Sequence, residues 1–212
     1  MPVVGTHGLR FAVLSDIGSS VDSRATIANL ISAAVESEAA EVGGQHPISA
    51  VLVPGDISYA DNDGLEWDAW QRMVQPLAAW KPWMVTAGNH EIELDRDNQS
   101  NSFAGFRNRF RMPGKHSDEE SSFTYKKRAY VGYNHGNFYY SYTAGTAHVI
   151  FLSSYSSCQA GSEQHSWLLQ NLKVLSLPLS LCLPSTNTAE PEECGQGPDT
   201  VAPCRHAQPL LQ

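Results

Sequence analysis

Three short apolar runs, each followed at once by a polar turn, constrain the fold of this chain more than any other feature. The runs lie at residues 11–14, 50–53 and 83–86. Apolar side chains recur at helical spacing between them, so the order is strand, helix, strand, helix, strand. This order predicts parallel strands with right-handed crossovers, and the polar turns then meet at the carboxyl edge of one sheet.

The two segments between the runs are predicted to be amphipathic helices. The apolar face of the first consists of Ile27, Leu30, Ile31, Ala34 and Val35. The apolar face of the second consists of Trp67, Trp70, Val74 and Leu77. We expect Asp22 or Ser23 to cap the first helix. We expect Asp63 and Glu66 to form a capping box at the start of the second.

The pattern is less regular beyond the third run. Residues 91–136 are polar and are predicted to be irregular, apart from a weak helix near 103–110. Two neighbouring strands are predicted at 138–142 and 148–152, because β-branched and aromatic residues there flank a glycine turn. A last helix is predicted after Ser162. Its apolar face consists of Trp167, Leu168, Leu169 and Leu172.

Composition excludes several classes of protein. The 212 residues are 42% hydrophobic, which suffices for one domain with a substantial core. The net charge is −8, and Lys and Arg do not cluster as they do on a nucleic-acid-binding surface. No apolar stretch is long enough to cross a membrane, and the start does not read as a signal peptide. The four cysteines form no CxxC pair, which argues against a zinc site.

Oxygen-bearing side chains follow each of the three predicted strands. They are Asp16, Asp56, Tyr59 and Asn89. Hard cations prefer oxygen ligands and a redox-active metal also accepts a phenolate, so the set predicts a metal site for phosphoryl chemistry. Taken singly, Asp16 also suits a helix cap or a turn, and Asp56 also suits a turn. Tyr59 alone also suits the edge of a core, and Asn89 alone suits a left-handed turn.

The motifs together resemble a known family. Asp16 with Gly18 comes first, then Gly55-Asp56-x-x-Tyr59, then Gly88-Asn89-His90-Glu91. Their order resembles the first three signature blocks of the purple acid phosphatases, which belong to the calcineurin-like metallophosphoesterases. Residues 139–142, 148–155 and 164–168 are similar to the strands and helix that follow the third block in that family. The resemblance covers about residues 9–173.

The resemblance implies an α/β fold, with a metallophosphoesterase-like β-sandwich flanked by helices. It also implies a dinuclear site that holds Fe3+ beside Fe2+, Zn2+ or Mn2+. Asp56 would bridge the two metals, Asp16 and Tyr59 would bind the ferric ion, and Asn89 would bind the divalent one. His90 would be the catalytic residue, in contact with the phosphate or the leaving oxygen.

Two further blocks of the family do not occur in this sequence. They are VxxH and GHxH, which supply the remaining histidine ligands. The composition changes near Val174 to a proline-rich segment without periodicity. We therefore expect a metallophosphoesterase domain at 1–173, incomplete on its C-terminal side, and an unrelated, disordered tail at 174–212. The chain is expected to be an incomplete copy of the family's proteins.

The leading functional prediction is an acid phosphatase that hydrolyses small phosphate monoesters, with no nucleic-acid or membrane partner. One alternative is a non-catalytic remnant without a complete metal site. Another is a different metallophosphoesterase, such as a phosphodiesterase, although Tyr59 argues against it because those relatives generally lack the tyrosine. The family is mostly secreted or vacuolar, but the start of this chain carries no signal, so its location is left open.

Overall fold

The computed structural model describes residues 8–39, 46–93, 102–115 and 120–175. The chain divides into two units, Met1–Ser176 and Leu177–Gln212, and all described residues belong to the first. The predicted tail at 174–212 lies outside the described residues except for its first two positions, where the last helix ends. The division into a domain and a tail therefore stays a prediction.

The first part of the described chain alternates strands and helices as predicted. Its elements are β1 (Arg10–Val13), α1 (Val21–Ala39), β2 (Ile48–Val53), α2 (Gly64–Ala78) and β3 (Trp83–Val85). The three strands form one sheet in the order β1-β2-β3, and both pairings are parallel. Each strand alternates with a helix, so all three strand ends point toward the same edge.

The second part consists of two antiparallel hairpins and two helices. Its elements are α3 (Ala104–Arg109), β4 (Glu120–Tyr125), β5 (Arg128–Tyr133), β6 (Tyr140–Ala144), β7 (Ala147–Phe151) and α4 (Glu163–Leu175). The β6–β7 hairpin and α4 confirm the predicted strands and last helix. Ser162 caps α4, accepting a hydrogen bond from the His165 backbone N–H at 3.4 Å.

The β4–β5 hairpin corrects the prediction that residues 91–136 are irregular. Ser121, Phe123 and Tyr125 are half-buried and alternate with exposed residues, which is the period of a half-buried strand. The two-residue connection is Lys126-Lys127. It lacks the Asn-Gly type of sequence that normally marks a tight hairpin, so this turn gave no signal.

The start of α1 also differs from the prediction. The helix begins at Val21, and the Ser20 hydroxyl accepts a hydrogen bond from the Ser23 backbone N–H at 3.1 Å. The cap is therefore Ser20 rather than Asp22 or Ser23, because the helix begins two or three residues earlier than the apolar pattern suggests.

At the start of α2, Asp63 is the N-cap as predicted. Its carboxylate accepts a hydrogen bond from the Leu65 backbone N–H at 2.9 Å. Glu66 does not complete the expected capping box, because its carboxylate instead accepts a hydrogen bond from the Ser19 hydroxyl. This contact joins α2 to the segment that follows β1.

Aromatic side chains dominate the core, and the predicted faces are largely confirmed. Trp67 and Trp70 are fully buried and meet edge to face at 6.4 Å. Three residues predicted on apolar faces are instead exposed: Val35 at 55%, Leu169 at 44% and Leu172 at 47%. Each lies at the margin of its helical stripe, where the described part of the chain does not cover it.

Two side-chain hydrogen bonds attach the second part to the end of β3. The Thr86 hydroxyl donates to the Phe138 carbonyl at 2.7 Å, and the Tyr140 hydroxyl donates to the Val85 carbonyl at 2.8 Å. Both are buried and so stabilise the position of the turn after β3. Among the described residues, every helix is too short or too polar to span a bilayer.

Candidate metal centre

The three strand-end turns meet at one edge of the parallel sheet. We call them turn 1 (residues 15–18), turn 2 (55–59) and turn 3 (88–91). Backbone hydrogen bonds fix turn 1 against turn 2: Ile17 N–H donates to the Asp56 carbonyl at 3.0 Å, and Gly18 N–H donates to the Ile57 carbonyl at 2.9 Å. The parallel strands thus bring Asp16 and turn 2 together, as the sequence predicts.

The buried carboxylate of Glu91 fixes turn 3 against turn 2. It accepts hydrogen bonds from the backbone N–H groups of Gly88 at 2.7 Å, Asp56 at 2.9 Å and Ile57 at 2.8 Å. Burial raises the pKa of Glu91 to about 7, although the three N–H donors act in the opposite direction. Glu91 therefore positions both turns through their backbones. The sequence reasoning quoted it within a motif but gave it no role.

The backbone of these turns adopts a conformation that few residue types tolerate. Asp16, Asp56 and Tyr59 have φ values of 53°, 50° and 57°, in the left-handed region. Aspartate enters this region more readily than most residues, whereas tyrosine there is uncommon. Strain of this kind concentrates at functional sites, where the surrounding hydrogen bonds maintain it.

Turn 3 approaches turn 2 so closely that only glycine fits at position 88. A Cβ on Gly88 would lie 2.2 Å from Asp56 Oδ1 and 2.3 Å from the Asp56 backbone nitrogen. Asn89 does not occupy a left-handed position. It begins a short 3-10 helix, Asn89–Glu91, so the alternative that Asn89 serves as a left-handed turn residue is wrong.

The phenol of Tyr59 and the carboxylate of Asp16 are in direct contact. The Tyr59 hydroxyl donates a hydrogen bond to Asp16 Oδ1 at 2.9 Å. Hydrogen bonds from Ser15 and then Tyr59 lower the pKa of Asp16. Desolvation, followed by the hydrogen bond to Asp16, raises the pKa of Tyr59 to about 12. The phenol therefore keeps its proton unless a cation replaces it.

The Asp56 side chain joins turn 2 to turn 3. Its Oδ1 accepts a hydrogen bond from the His90 backbone N–H at 3.0 Å, while its own backbone is held by Glu91. Of the four predicted ligands, Asp16 and Tyr59 are in contact with each other. Asp56 is joined to Asp16 through the backbone of turn 1 and to Asn89 through turn 3.

The imidazole of His90 packs on the ring of Tyr59. The two ring centroids are 3.9 Å apart, and the planes are inclined by 30°. His90 Nδ1 lies 2.9 Å from a carboxylate oxygen of Asp61, which fixes the orientation of the ring. Its Nε2 has no hydrogen-bond partner in the part of the chain described. Sequence reasoning missed Asp61, although a carboxylate two residues after Tyr59 was visible in the motif.

The donor set suits a hard cation in type but is small in number. Carboxylates, a phenol and the Asn89 amide are all oxygen donors. The contact between Tyr59 and Asp16 places a phenol oxygen and a carboxylate oxygen within reach of one ion. Across residues 8–39, 46–93, 102–115 and 120–175, no three His, Cys, Asp or Glu side chains form a group able to hold a metal. A site here would depend on Tyr59 and Asn89 beside two carboxylates.

Two cavities flank the three turns. One, of about 550 Å3, is bordered by Asp16, Tyr59 and the start of α1. The other, of about 430 Å3, is bordered by Asn89, His90 and the tip of the β4–β5 hairpin. The candidate ligands therefore lie between two spaces that are accessible from solvent.

Comparison with known proteins gives a consistent assignment. Residues 9–175 match the calcineurin-like phosphoesterase family. The chain is 36% identical over 165 residues to probable purple acid phosphatase 20 of Arabidopsis thaliana. The match covers 78% of this chain and 32% of that protein. It is 33% identical over 168 residues to Fe(3+)-Zn(2+) purple acid phosphatase 12 of the same plant, covering 77% of this chain and 30% of the relative.

The fold is also similar to that of a solved purple acid phosphatase, PPD1 from yellow lupin (Lupinus luteus) seeds. The TM-score is 0.56 at 19% sequence identity, and the match covers 80% of this chain and 28% of the lupin chain. This likeness confirms the predicted α/β fold. The chain spans about a third of the length of the curated relatives it matches.

Proposed function

The chain belongs to the calcineurin-like phosphoesterase family, and from that premise we propose that its three strand-end turns form a metal-dependent phosphatase site for small phosphate monoesters. The relatives it resembles are named purple acid phosphatases, one of them as an Fe(3+)-Zn(2+) enzyme. The metals we propose for this chain are accordingly Fe3+ and a divalent ion such as Fe2+, Zn2+ or Mn2+.

One observation carries the proposal: two independent sets of hydrogen bonds fix the three turns on one another. Turn 1 is joined to turn 2 by two backbone hydrogen bonds, and turn 3 is joined to turn 2 by Glu91. A chain without a site here would have no need for a buried carboxylate and for left-handed Asp and Tyr residues at this edge.

The proposed ligand roles are those that the family resemblance implies, and the contacts between the turns support them. Asp16 and Tyr59 would hold the ferric ion, Asp56 would lie between the two metals, and Asn89 would bind the divalent ion. Bound metal ions supply charge neutralisation and Lewis acidity for phosphoryl transfer. The protein keeps the donors in place, because Glu91 accepts a hydrogen bond from the Asp56 backbone N–H and Gly88 leaves room for the Asp56 carboxylate.

His90 is the proposed acid–base residue. Its Nδ1 contacts Asp61 and its ring lies on Tyr59, so Nε2 is left to face a bound ester. In this orientation the imidazolium would donate a proton to the departing oxygen of the ester. Asp61 would accept a hydrogen bond from Nδ1–H and so keep the ring in this orientation.

A second candidate function follows from the small number of ionic ligands. The described residues provide two carboxylates but no histidine ligand at the turns, and fewer ligands mean weaker metal binding. The second candidate is therefore a protein that binds a phosphate ester without hydrolysing it. Both candidates bind a phosphate ester, but only the first hydrolyses it.

The test is turnover of an aryl phosphate at mildly acid pH by the purified chain, supplied with iron plus zinc or manganese. We expect Asp56→Asn to lower turnover by about 100-fold or more, since it removes charge from the proposed bridging ligand. Asp68→Asn is the matched control, because Asp68 lies on α2 away from the turns, and it should retain wild-type turnover. A folded, soluble wild-type chain without metal-dependent turnover would favour the second candidate.

A further inference from the structure

The tip of the β4–β5 hairpin carries three consecutive basic residues, Lys126, Lys127 and Arg128. They stand out in a chain whose net charge is −8. The run is shorter than the clusters of Lys and Arg on a nucleic-acid-binding surface. It lies at the tip of the hairpin because Tyr125 and Arg128 are the last paired positions of the two strands.

The turn itself holds two lysines in a conformation that lysine rarely adopts. Lys126 and Lys127 have φ values of 46° and 64°. Two-residue hairpin turns of this hand usually contain asparagine, aspartate or glycine at these positions. A residue that keeps such a conformation against its preference is a candidate for a functional role.

The hairpin tip borders the cavity of about 430 Å3 that opens beside the candidate metal centre. Lys126 and Arg128, which we call the basic wall, line the same cavity as Asn89 and His90. Lys127 does not line the cavity. An ester whose scissile phosphate contacts His90 would therefore extend toward two of the three basic side chains.

The positive charge at this wall has no acidic partner within the described residues. Lys126 and Arg128 form no salt bridge there, and the Lys126 ammonium lies 5.0 Å from the centroid of the Tyr125 ring. Among the described residues that line the cavity, the one acidic side chain is Asp61, and its carboxylate lies 2.9 Å from His90 Nδ1. The wall is consequently able to receive an anion.

We propose that this cavity selects phosphate esters whose leaving group carries a further anionic group, with Lys126 and Arg128 as its recognition residues. The inference rests on the proposed function and names the substrate class for the same site. A second phosphate or a carboxylate on the leaving group would contact the basic wall while the scissile phosphate lies beside His90. Monoesters with neutral leaving groups gain nothing from this wall.

The test uses binding, so that it does not depend on turnover. Calorimetric titration of the full chain compares pyrophosphate, which carries a second phosphate, with orthophosphate, which does not. Three variants are titrated with both anions: Lys126→Asn, Arg128→Gln and Lys127→Asn. Asparagine is chosen because it tolerates the left-handed backbone. Lys127→Asn is the matched control, since it removes the same charge from the same turn outside the cavity.

We expect the wild type to bind pyrophosphate at least about 10-fold more tightly than orthophosphate. Lys126→Asn and Arg128→Gln should each lower that preference by about 3- to 10-fold, and Lys127→Asn should leave it within about 2-fold. Equal affinity for both anions, or an equal loss in all three variants, would overturn the inference. Circular dichroism of each variant checks that the hairpin remains folded.

The outcome separates this inference from the proposed function. A chain that prefers pyrophosphate through Lys126 and Arg128 but hydrolyses no ester would contradict the phosphatase proposal and support the basic wall. A chain that hydrolyses aryl phosphates with neutral leaving groups and shows no preference for pyrophosphate would support the phosphatase proposal and contradict the basic wall.

Discussion

The two parts of this chain use their polar groups in opposite ways. The parallel part, from β1 to Glu91, places carboxylates, a phenol and an imidazole at strand ends in strained turns. The antiparallel part, from β4 to α4, places aromatic rings against that scaffold and contributes none of the predicted ligands. Some of its hydroxyls instead bond to backbone carbonyls, as the Tyr140 hydroxyl does with the Val85 carbonyl.

The difference separates positioning from stability. In the parallel part, buried polar contacts such as those of Glu91 determine where the candidate ligands lie. In the antiparallel part, aromatic rings pack on one another. The ring centroid of Phe138 lies 4.9 Å from that of Phe103 and 5.6 Å from that of Phe106, and the burial of these rings contributes to the free energy of unfolding. Substitutions in the two parts should therefore have separable effects on metal binding and on stability.

The largest effect on stability should come from the aromatic contacts of the antiparallel part. Phe138 is 1% exposed, so Phe138→Ala should lower the free energy of unfolding by about 3–5 kcal/mol. Chemical denaturation measures this. Leu152→Ala, at a residue 46% exposed, is the control and should cost less than about 1 kcal/mol. A loss of iron affinity in Phe138→Ala, under conditions where the variant stays folded, would contradict the expected separation of metal binding from stability.

A smaller loss of stability, together with a loss of metal binding, is expected at the contact of turns 2 and 3. In Gly88→Ala the new methyl group would overlap Asp56 and displace it, at a cost of about 2–3 kcal/mol. Iron affinity, followed by calorimetry, should fall in parallel. Gly64→Ala is the matched glycine control, because nothing lies within 4 Å of its Cβ position. It should stabilise the chain by about 0.5–1 kcal/mol, and an equal loss at both glycines would contradict the account.

Glu91 provides a sharper version of the same test. Glu91→Gln replaces one acceptor oxygen with an N–H2 group that faces backbone donors, so we expect a loss of about 2 kcal/mol. Because Glu91 is a positioning residue, iron affinity should also fall even though no proposed ligand has changed. Glu36→Gln, on the exposed side of α1, should alter neither quantity. Unchanged stability in Glu91→Gln would show that its three hydrogen bonds do not fix the turns.

The smallest effect is expected at the cap of α2, which belongs to the parallel part but not to the turns. Asp63→Ala removes the hydrogen bond to Leu65 N–H and should cost about 1 kcal/mol. Asp63→Ser should recover most of this loss, since serine is also a good N-cap. Iron affinity should remain at the wild-type value in both variants. A decrease would mean that the centre depends on the scaffold as a whole.

The parallel part could be predicted from sequence because local and long-range signals agree there. The apolar runs, the helix faces with Trp67 and Trp70, and the polar residues after each strand all indicate the same α-β alternation. The convergence of Asp16, Asp56 and Tyr59 followed from the topology alone. A metal site was predicted from their oxygen donors and the role of each ligand from the family resemblance, and both stay predictions.

Other features depended on contacts that the local sequence does not encode. The β4–β5 hairpin was missed because its turn is Lys126-Lys127, against the usual turn preferences. Glu91 and Asp61 were missed because their roles arise from groups on other segments: the N–H donors of turn 2 and the imidazole of His90. Val35 was wrongly predicted to be buried, because periodicity identifies the apolar face of a helix but not how much of that face the neighbouring elements cover.

Titration with Fe3+ under visible absorption is the most direct test of the proposal that the strand-end turns bind iron through the Tyr59 phenolate. We predict a charge-transfer band that saturates with iron, disappears in Tyr59→Phe and persists in Tyr125→Phe, whose ring lines the neighbouring cavity. Asp16→Asn should weaken iron binding and reduce the band, since it removes the negative charge of the carboxylate that contacts the phenol. A band that survives in Tyr59→Phe, or no band from a folded wild-type chain, would contradict the account.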